Sequence, residues 1–248
     1  LRLSRFPSSL ALVTALPRDS SPYAISIIVP CLNEEKVIEQ TLARLLETPE
    51  DVEIIVVDGG STDGTLRRLV RPRVKLLQTT RGRGHQLDFG ARAARGTVLW
   101  FLHADTLITP ESEQALRSAL RDPAILSGNF SLVFGGRRRA ARLMTWIYRH
   151  LRLIGLCYGD SGFFVRAQIY RQVGGFKDYP IFEDLDLLRR LCRAGKFVRL
   201  PANITTSSRR FEGGRSFAWT FAHWTFLQIL FWLGFDPRRM GRLYRAVR

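Results

Sequence analysis

The sequence predicts an α/β protein with a mostly parallel sheet flanked by helices. Three observations carry that prediction. Apolar runs alternate with segments of helical spacing four times between Ile25 and Leu120, the signature of right-handed βαβ units. Three apolar runs end in acids: Ile54-Ile55-Val56-Val57 in Asp58, Val98-Leu99-Trp100-Phe101-Leu102 in His103-Ala104-Asp105, and Pro180-Ile181-Phe182 in Glu183-Asp184. Ligands of open α/β sheets bind outside the carboxyl ends of the strands, so acids delivered there can hold a base, a metal or a reacting hydroxyl. Finally, 248 residues, 46% of them hydrophobic, suffice for one large domain with or without an appendage.

The ordered fold is expected to start near Tyr23. Residues 1–22 mix Arg2, Arg5 and Arg18 with Leu10-Ala11-Leu12-Val13. That apolar stretch is short and interrupted, so it reads as a poorly ordered extension and not a secretory signal. Ile25 to Val29 reads as a buried strand. Pro30-Cys31-Leu32-Asn33 forms a loop, and Asn33 is placed to cap a helix whose first turn holds Glu34 and Glu35. Val37, Ile38, Leu42, Leu45 and Leu46 then recur at helical spacing. Glu53–Val57 is a second strand, 62–70 a short helix, Val74–Leu77 a third strand, and 87–94 a helix closed by Gly96. Residues 97–102 form a fourth strand, and Pro110 opens the next helix, as suits a first helical position.

After Pro123 the pattern changes. Residues 125–134 read as a strand, 138–153 as a basic amphipathic helix, 162–165 as a short strand, 184–193 as a helix and 196–200 as a strand. From Ser216 to Phe235 there is no Asp, Glu, Lys or Arg, and aromatic residues are frequent. Three readings of this segment stay open: a helix packed on the domain, a helix lying in a membrane interface, and a span. Arg215 and the Arg238-Arg239 pair flank it, which suits anionic headgroups.

The net charge of +16 attracts polyanions, phosphorylated ligands or an anionic leaflet. An arginine-rich proteome is the bland alternative. No basic zipper, zinc finger or RNP-like motif accompanies the charge, so nucleic acid is not an expected partner. Cys31, Cys157 and Cys192 are far apart in sequence and show no CxxC spacing. No disulfide framework or zinc site is implied, and a reducing compartment fits.

Four constellations can carry chemistry. Asp58-Gly59-Gly60-Ser61-Thr62-Asp63-Gly64-Thr65 follows a buried strand, and its glycines let backbone approach a ligand. Asp105 can ligate a hard divalent cation, magnesium or manganese, together with substrate phosphates. His103, two residues earlier on a strand, is expected to point to the same side. It is either a second ligand, favouring manganese, or a hydrogen-bonded pocket histidine. Glu183 and Asp184 open a helix, where one acid can act as general base while its neighbour orients or caps. Ser208-Arg209-Arg210 and Gly213-Gly214-Arg215 form a basic loop able to clamp a diphosphate. Gly82-Arg83-Gly84 lacks the continuation of a dinucleotide or P-loop fingerprint.

Together these residues resemble glycosyltransferase family 2, the inverting nucleotide-sugar enzymes of the GT-A fold, over roughly Ile25 to Arg210. The carrying stretches are SIIVPCLNEEKVIEQTL, EIIVVDGGSTDGT, FLHADT and GGF followed by FEDLDLLRRL. The resemblance implies a Rossmann-like GT-A domain over 23–205, with a basic loop and aromatic helix over 206–248. It implies that Pro30, Asn33 and Glu34 line the nucleoside pocket, and that Asp58 accepts the ring N–H of the base, which suits uracil. Ser61 and Asp63 would shape that loop, with Arg83, Gly84 and Gln86 near the nucleotide. Asp105 would hold the metal on the diphosphate. Asp184 would be the general base, supported by Glu183. Gly159, Asp160 and Ser161 fall where acceptor contacts are common in the family, and Arg209 or Arg210 would meet the leaving phosphate.

His103 stands where the family's DxD has its first Asp, and Asp88 where the family often has Asn. FLHADT, SSRRFEGG and the terminal LGFDPRRM are similar to a compact bacterial subgroup of the family. The expected reaction is transfer from a nucleotide sugar, a UDP-sugar first, to an acceptor hydroxyl that a lipid can carry. The expected setting is the cytoplasm or the inner face of its membrane. A nucleotidyltransferase and a basic nucleic-acid-binding module are the rival readings. The first would place a glycine-rich phosphate loop after the first strand, where this chain has Pro30-Cys31-Leu32-Asn33-Glu34-Glu35.

Overall fold

The computed structural model describes residues 23–136, 139–153, 159–207 and 217–241. The 1–22 extension, Cys157, Arg209, Arg210 and Gly213-Gly214-Arg215 lie outside the described residues. In chain order the strands are β1 (Ile25–Cys31), β2 (Val52–Asp58), β3 (Val74–Gln78), β4 (Val98–Phe101), β5 (Thr106–Leu107), β6 (Ile125–Gly135), β7 (Phe164–Arg166) and β8 (Lys196–Ser207). The helices are α1 (Ile38–Leu46), α2 (Thr65–Leu69), α3 (Arg83–Ala93), α4 (Pro110–Leu120), α5 (Arg139–Leu153), α6 (Ala167–Gln172), α7 (Glu183–Ala194), α8 (Phe217–Trp232) and α9 (Pro237–Met240), with a 3-10 turn at Gly159–Ser161.

One sheet orders the strands β3-β2-β1-β4-β7-β6-β8-β5. The β3-β2-β1-β4 half is parallel throughout. β7 then runs antiparallel to both β4 and β6, while β8 is parallel to β6. Hence β1–β4, β6 and β8 share one direction, and β5 and β7 oppose it. Strands buried on both faces become continuous apolar runs, as β1, β2 and β4 are. Alternate residues feed two cores. Ile25, Ile27 and Val29 pack with α1 and α4 side chains such as Leu42 and Leu116. Ile28, Leu99 and Phe101 pack with Leu87 of α3, Tyr170 of α6 and Leu187 of α7.

Several boundaries differ from the sequence reading. β5 and α6 were not expected, and β8 continues to Ser207, past the anticipated end of its strand and the 205 boundary. Pro110 does open α4, where Thr109 and Ser112 form a reciprocal capping box. Gly96 does not close a helix, since α3 ends at Ala93. It is glycine because the chain presses on β1: a Cβ there would lie 2.5 Å from the Ser26 backbone nitrogen. Backbone cannot yield as a side-chain tip can. Gly96→Ala is therefore expected to cost about 1–3 kcal/mol of stability, as overpacking does, read by denaturant unfolding.

The C-terminal helix is packed on the domain. Leu227 and Phe231 of α8 bury against Ile181, Phe182, Leu185 and Met240. Among the described residues no helix is long and apolar enough to cross a membrane. The spanning reading is corrected for a physical reason: the inner face of α8 is already committed to protein.

Candidate active site

Every sequence-predicted acid that the structure describes lies at or beside the carboxyl edge of the sheet. The ends of β1 and β2 are laced there. Asn33 does not cap α1, which begins at Ile38 behind Val37. Instead Asn33 adopts a left-handed backbone, φ 54°. Its N–H donates to Ser61 Oγ at 2.9 Å, and its Oδ1 accepts from the Thr62 N–H at 2.9 Å. The Glu34 N–H donates to Thr65 Oγ1 at 2.8 Å, and Asp63 Oδ1 accepts from the Thr65 N–H at 3.0 Å. Pro30 lies within β1, half-buried just before the loop.

Asp58 is fully buried. Its Oδ2 accepts from the N–H groups of Gly60 at 2.9 Å and Ser61 at 3.0 Å, and its Oδ1 accepts from Ser61 Oγ. Its carboxylate thus holds the loop that follows it. Gln86 braces the same edge. It is buried, and its Nε2 donates to the carbonyls of Cys31 at 2.9 Å and Val57 at 2.8 Å. It ties the two strand ends together.

The Asp105 turn sits beside β5. β4 ends at Phe101, and the Thr106 N–H donates to the His103 carbonyl at 3.1 Å. His103 and Asp105 therefore occupy a turn, and the strand alternation invoked for them does not apply. Both are half-buried. The turn is fixed by Thr41, whose buried hydroxyl donates to the Ala104 carbonyl at 2.8 Å. Thr206 Oγ1 donates to Asp105 Oδ1 at 3.3 Å. β8 thus carries the chain along β5 to this edge at Ser207, where the described residues stop before Arg209 and Arg210.

The acid pair sits at the start of α7. Phe182 precedes it in the left-handed region, φ 63°, and is buried. A bulky residue there is costly and persists where packing over-determines it, commonly at functional sites. Glu183 is buried and paired with Arg83 Nε, while Arg83 Nη2 lies 3.7 Å from Asp184 Oδ2. Burial pushes the Glu183 carboxyl above the usual range, Arg83 pulls it back, and Asp184 raises it again. Asp184 is half-buried, and its Oδ1 accepts from the Leu185 N–H at 2.8 Å. Arg83 thus faces the acids. Gly84 is buried, and a Cβ there would lie 3.0 Å from both Glu183 Cγ and the Lys177 carbonyl. Glycine at this position lets α3 touch α7.

The Gly159–Ser161 turn contacts α7 and β6. It precedes β7, so it joins the same edge beyond β4. Ser161 is buried, and its Oγ accepts from Asn129 Nδ2 at 2.8 Å. This fixes the turn. Asp160 is half-buried.

Sequence reasoning missed the groups that aim the acid pair. Tyr170 donates from its hydroxyl to Asp88 Oδ1 at 2.8 Å and accepts from the Phe176 N–H at 3.0 Å. Burial pushes its phenol up, so it stays a donor. Arg190 donates to the Gly175 carbonyl at 2.7 Å and pairs with Asp186 at 2.7 Å. Together they brace the loop leading to Phe182. A Tyr and an Arg at ordinary helix positions give no local signal. The one available clue was Asp88, an acid that no motif required.

Residues 26–177 match Glycosyl transferase family 2. A glycosyltransferase of Synechocystis is 27% identical over 229 residues, covering 88% of this chain and 63% of that protein. The glycosyltransferase YkcC of Bacillus subtilis is 37% identical over 97 residues, covering 35% of this chain and 30% of that protein. The chain thus spans less than two thirds of the length of these relatives. Among solved structures, S. aureus TarS 1-349 in complex with UDP-GlcNAc superposes with a TM-score of 0.62 at 20% identity, covering 78% of this chain and 60% of that one. The mannosyltransferase PcManGT of Pyrobaculum calidifontis, in complex with GDP-Man and Mn2+, gives 0.60 at 22%, covering 79% and 59%. Glucosyl-3-phosphoglycerate synthase of Mycobacterium tuberculosis, with Mn2+ and UDP, gives 0.58 at 20%, covering 81% and 75%. The sheet is therefore a GT-A sheet, and with a family match running from β1 through the loop before α7, this chain belongs to glycosyltransferase family 2.

Proposed function

We propose that the chain transfers a sugar from a nucleotide-sugar donor, a UDP-sugar first, to an acceptor hydroxyl with inversion at the anomeric carbon. One observation carries the reading: at the start of α7 a half-buried Asp184 stands beside Glu183, which is buried and neutralised by Arg83. Two adjacent acids in unequal environments divide their work. Glu183 is occupied in holding α3 against α7. Asp184 keeps some exposure and can accept a proton.

In this mechanism Asp184 takes the proton of the acceptor hydroxyl, and that oxygen bonds to the anomeric carbon from the face opposite the diphosphate. The bond from that carbon to the diphosphate oxygen breaks, and the nucleoside diphosphate leaves with the bonding pair. The laced loops Leu32–Glu35 and Gly60–Asp63 seat the nucleoside, with Asn33, Glu34, Ser61 and Asp63 contributing side chains or backbone and Pro30 the floor. Asp58 acts by rigidifying that seat. Asp160 and Gly159 border the acceptor side. Arg209 or Arg210, which follow β8 in sequence, would meet the leaving phosphate.

The Asp105 turn fits a hard divalent cation. No group of three His, Cys, Asp or Glu side chains gathers among the described residues. A half-buried carboxylate with a half-buried histidine two residues away in the same turn suits an ion held by one or two protein ligands plus phosphate oxygens. Asp105 would hold it, with His103 the second donor, and the bound ion would offset the negative charge of the diphosphate. The three cysteines, far apart in sequence and without CxxC spacing, suit a reducing, cytoplasmic setting.

A thermal-shift panel of UDP-, GDP- and dTDP-sugars, with and without manganese, tests the reading. A ligand at about a hundred times its Kd stabilises by roughly 2.7 kcal/mol, about 5–10 °C for a chain of this size. The UDP-sugar with manganese is expected to give the largest shift. Asp105→Asn should remove the manganese-dependent part and keep the rest. No shift with any donor at saturating metal would sink the proposal.

A further inference from the structure

Helix α8 is apolar on two faces. The inner face buries Leu227 and Phe231, yet Phe226 is 53% exposed, Ile229 52% and Trp232 49%, followed by Leu233 at 70% and Phe235 at 56%. Phe226, Ile229 and Leu233 recur at spacings of three and four, so they form one stripe. A helix on a soluble surface normally turns a polar face outward, and a contiguous exposed apolar patch marks an interaction surface. A cation borders this one: the exposed Arg189 places its guanidinium 5.7 Å over the Trp232 ring. Arg238 and Arg239 stand exposed on α9, which follows α8, the Arg238 guanidinium 5.8 Å over the Tyr179 ring. The nearby Asp236 carboxylate is engaged in capping α9 through the Arg238 N–H at 2.9 Å.

We propose that the outer face of α8 docks on the surface of an anionic lipid bilayer, lying in the interface with Arg189, Arg238 and Arg239 among the headgroups. An apolar stripe rich in aromatic residues, bordered by Arg189 and followed by two exposed arginines on α9, suits the headgroup level, and anionic lipid complements the cations. A second copy could cover the stripe only by bringing like charges together on a chain of net charge +16. Docking would also orient the acid pair. Phe182, which immediately precedes Glu183, packs on the inner face of α8, 5.1 Å from the Phe231 ring and 6.2 Å from Trp224. That consequence rests on the transferase reading, whereas the docking itself does not.

The test is co-sedimentation of the full chain, without nucleotide, with phosphatidylcholine vesicles lacking or containing phosphatidylglycerol. Wild type should pellet with the anionic vesicles and dissociate as salt rises. Phe226→Ser with Ile229→Ser should weaken binding on the order of tenfold or more. Arg238→Ala with Arg239→Ala should weaken it roughly 30-fold. All four positions are exposed, so melting temperatures should stay near wild type. Wild type remaining in the supernatant with anionic vesicles would overturn the proposal. So would full binding by the Phe226/Ile229 variant, or a wild-type dimer by light scattering that this variant makes monomeric. Vesicle binding without any nucleotide thermal shift would keep the docking and remove the transferase reading.

Discussion

Asp184→Asn is expected to lower sugar transfer by about 10²- to 10⁴-fold, the usual loss when a positioned general base is removed. The change is nearly isosteric. The Asn carbonyl oxygen can still accept from the Leu185 N–H, which donates to Asp184 Oδ1 at 2.8 Å. The start of α7 should therefore hold, and donor affinity by thermal shift should be unchanged. The deficit should appear in kcat, since the lost interaction acts on the acceptor proton and not on the bound nucleotide. Initial rates of nucleoside diphosphate release in the presence of acceptor measure it. A variant that transfers at the wild-type rate would move the base role away from this residue.

The second large effect concerns folding as well as chemistry. Arg83→Met should leave the Glu183 carboxylate buried without its partner, at a cost of about 3–5 kcal/mol near neutral pH. The pH dependence has a definite sign. Burial already raises Glu183 above its ordinary 4.5, and Arg83 opposes that rise. Without the guanidinium the folded-state value climbs further. An acid whose folded value exceeds its unfolded value binds more protons when folded, so its contribution falls as pH rises from about 4.5 through the folded value. The variant should thus be least stable at neutral and higher pH and recover toward about pH 5. Arg83→Met with Glu183→Gln should regain much of the neutral-pH loss. Denaturant unfolding of wild type, single and double variants at several pH values checks this. A single variant equally destabilised at every pH would mean that Arg83 matters for packing alone.

The two variants separate functions that lie side by side. Asp184→Asn probes an acid that keeps some exposure, and Arg83→Met probes one that has none to spare. Arg83 spans both acids, so it is best described as the group that positions them. Its place in α3 explains why the glycine next to it is buried. Gly84 lets the helix approach Glu183 to 3.0 Å of a would-be Cβ, and a side chain there would push the pair apart.

Much of the first half of the sheet was legible. β1, β2 and β4 are short apolar runs because both of their faces are buried, and that pattern is local. The shortest elements divide. β7, three residues long, falls on the strand expected at 162–165, whereas β5, two residues long, was not expected. Both exist because β4, β6 and β8 offer them hydrogen bonds, and nothing in Phe164–Arg166 or Thr106–Leu107 announces those partners. The site shows the same division. Four motifs stood out by residue type, and the positions of Asp105, Glu183 and Asp184 follow from them. The bracing by Thr41, Thr206, Tyr170 and Arg190 did not stand out, because single hydroxyls and guanidiniums act across separations that no local window spans.

Glu183-Asp184 follow a loop and Asp105 lies in a turn past β4, so neither ends a strand. By itself the sequence determined the order of β1 to β4 with the helices between them, Asp58 at the end of its strand, and the family those motifs resemble. Each of these follows from side-chain period and turn chemistry within a few residues. Only the tertiary structure decided what each acid is available to do. Asp58 and Glu183 are buried and engaged, one by the N–H groups of its own loop and the other by Arg83. Asp105 and Asp184 stay half-buried at the sheet edge. Desolvation and hydrogen-bond partners set a carboxylate's role, and both come from packing between segments far apart in the chain.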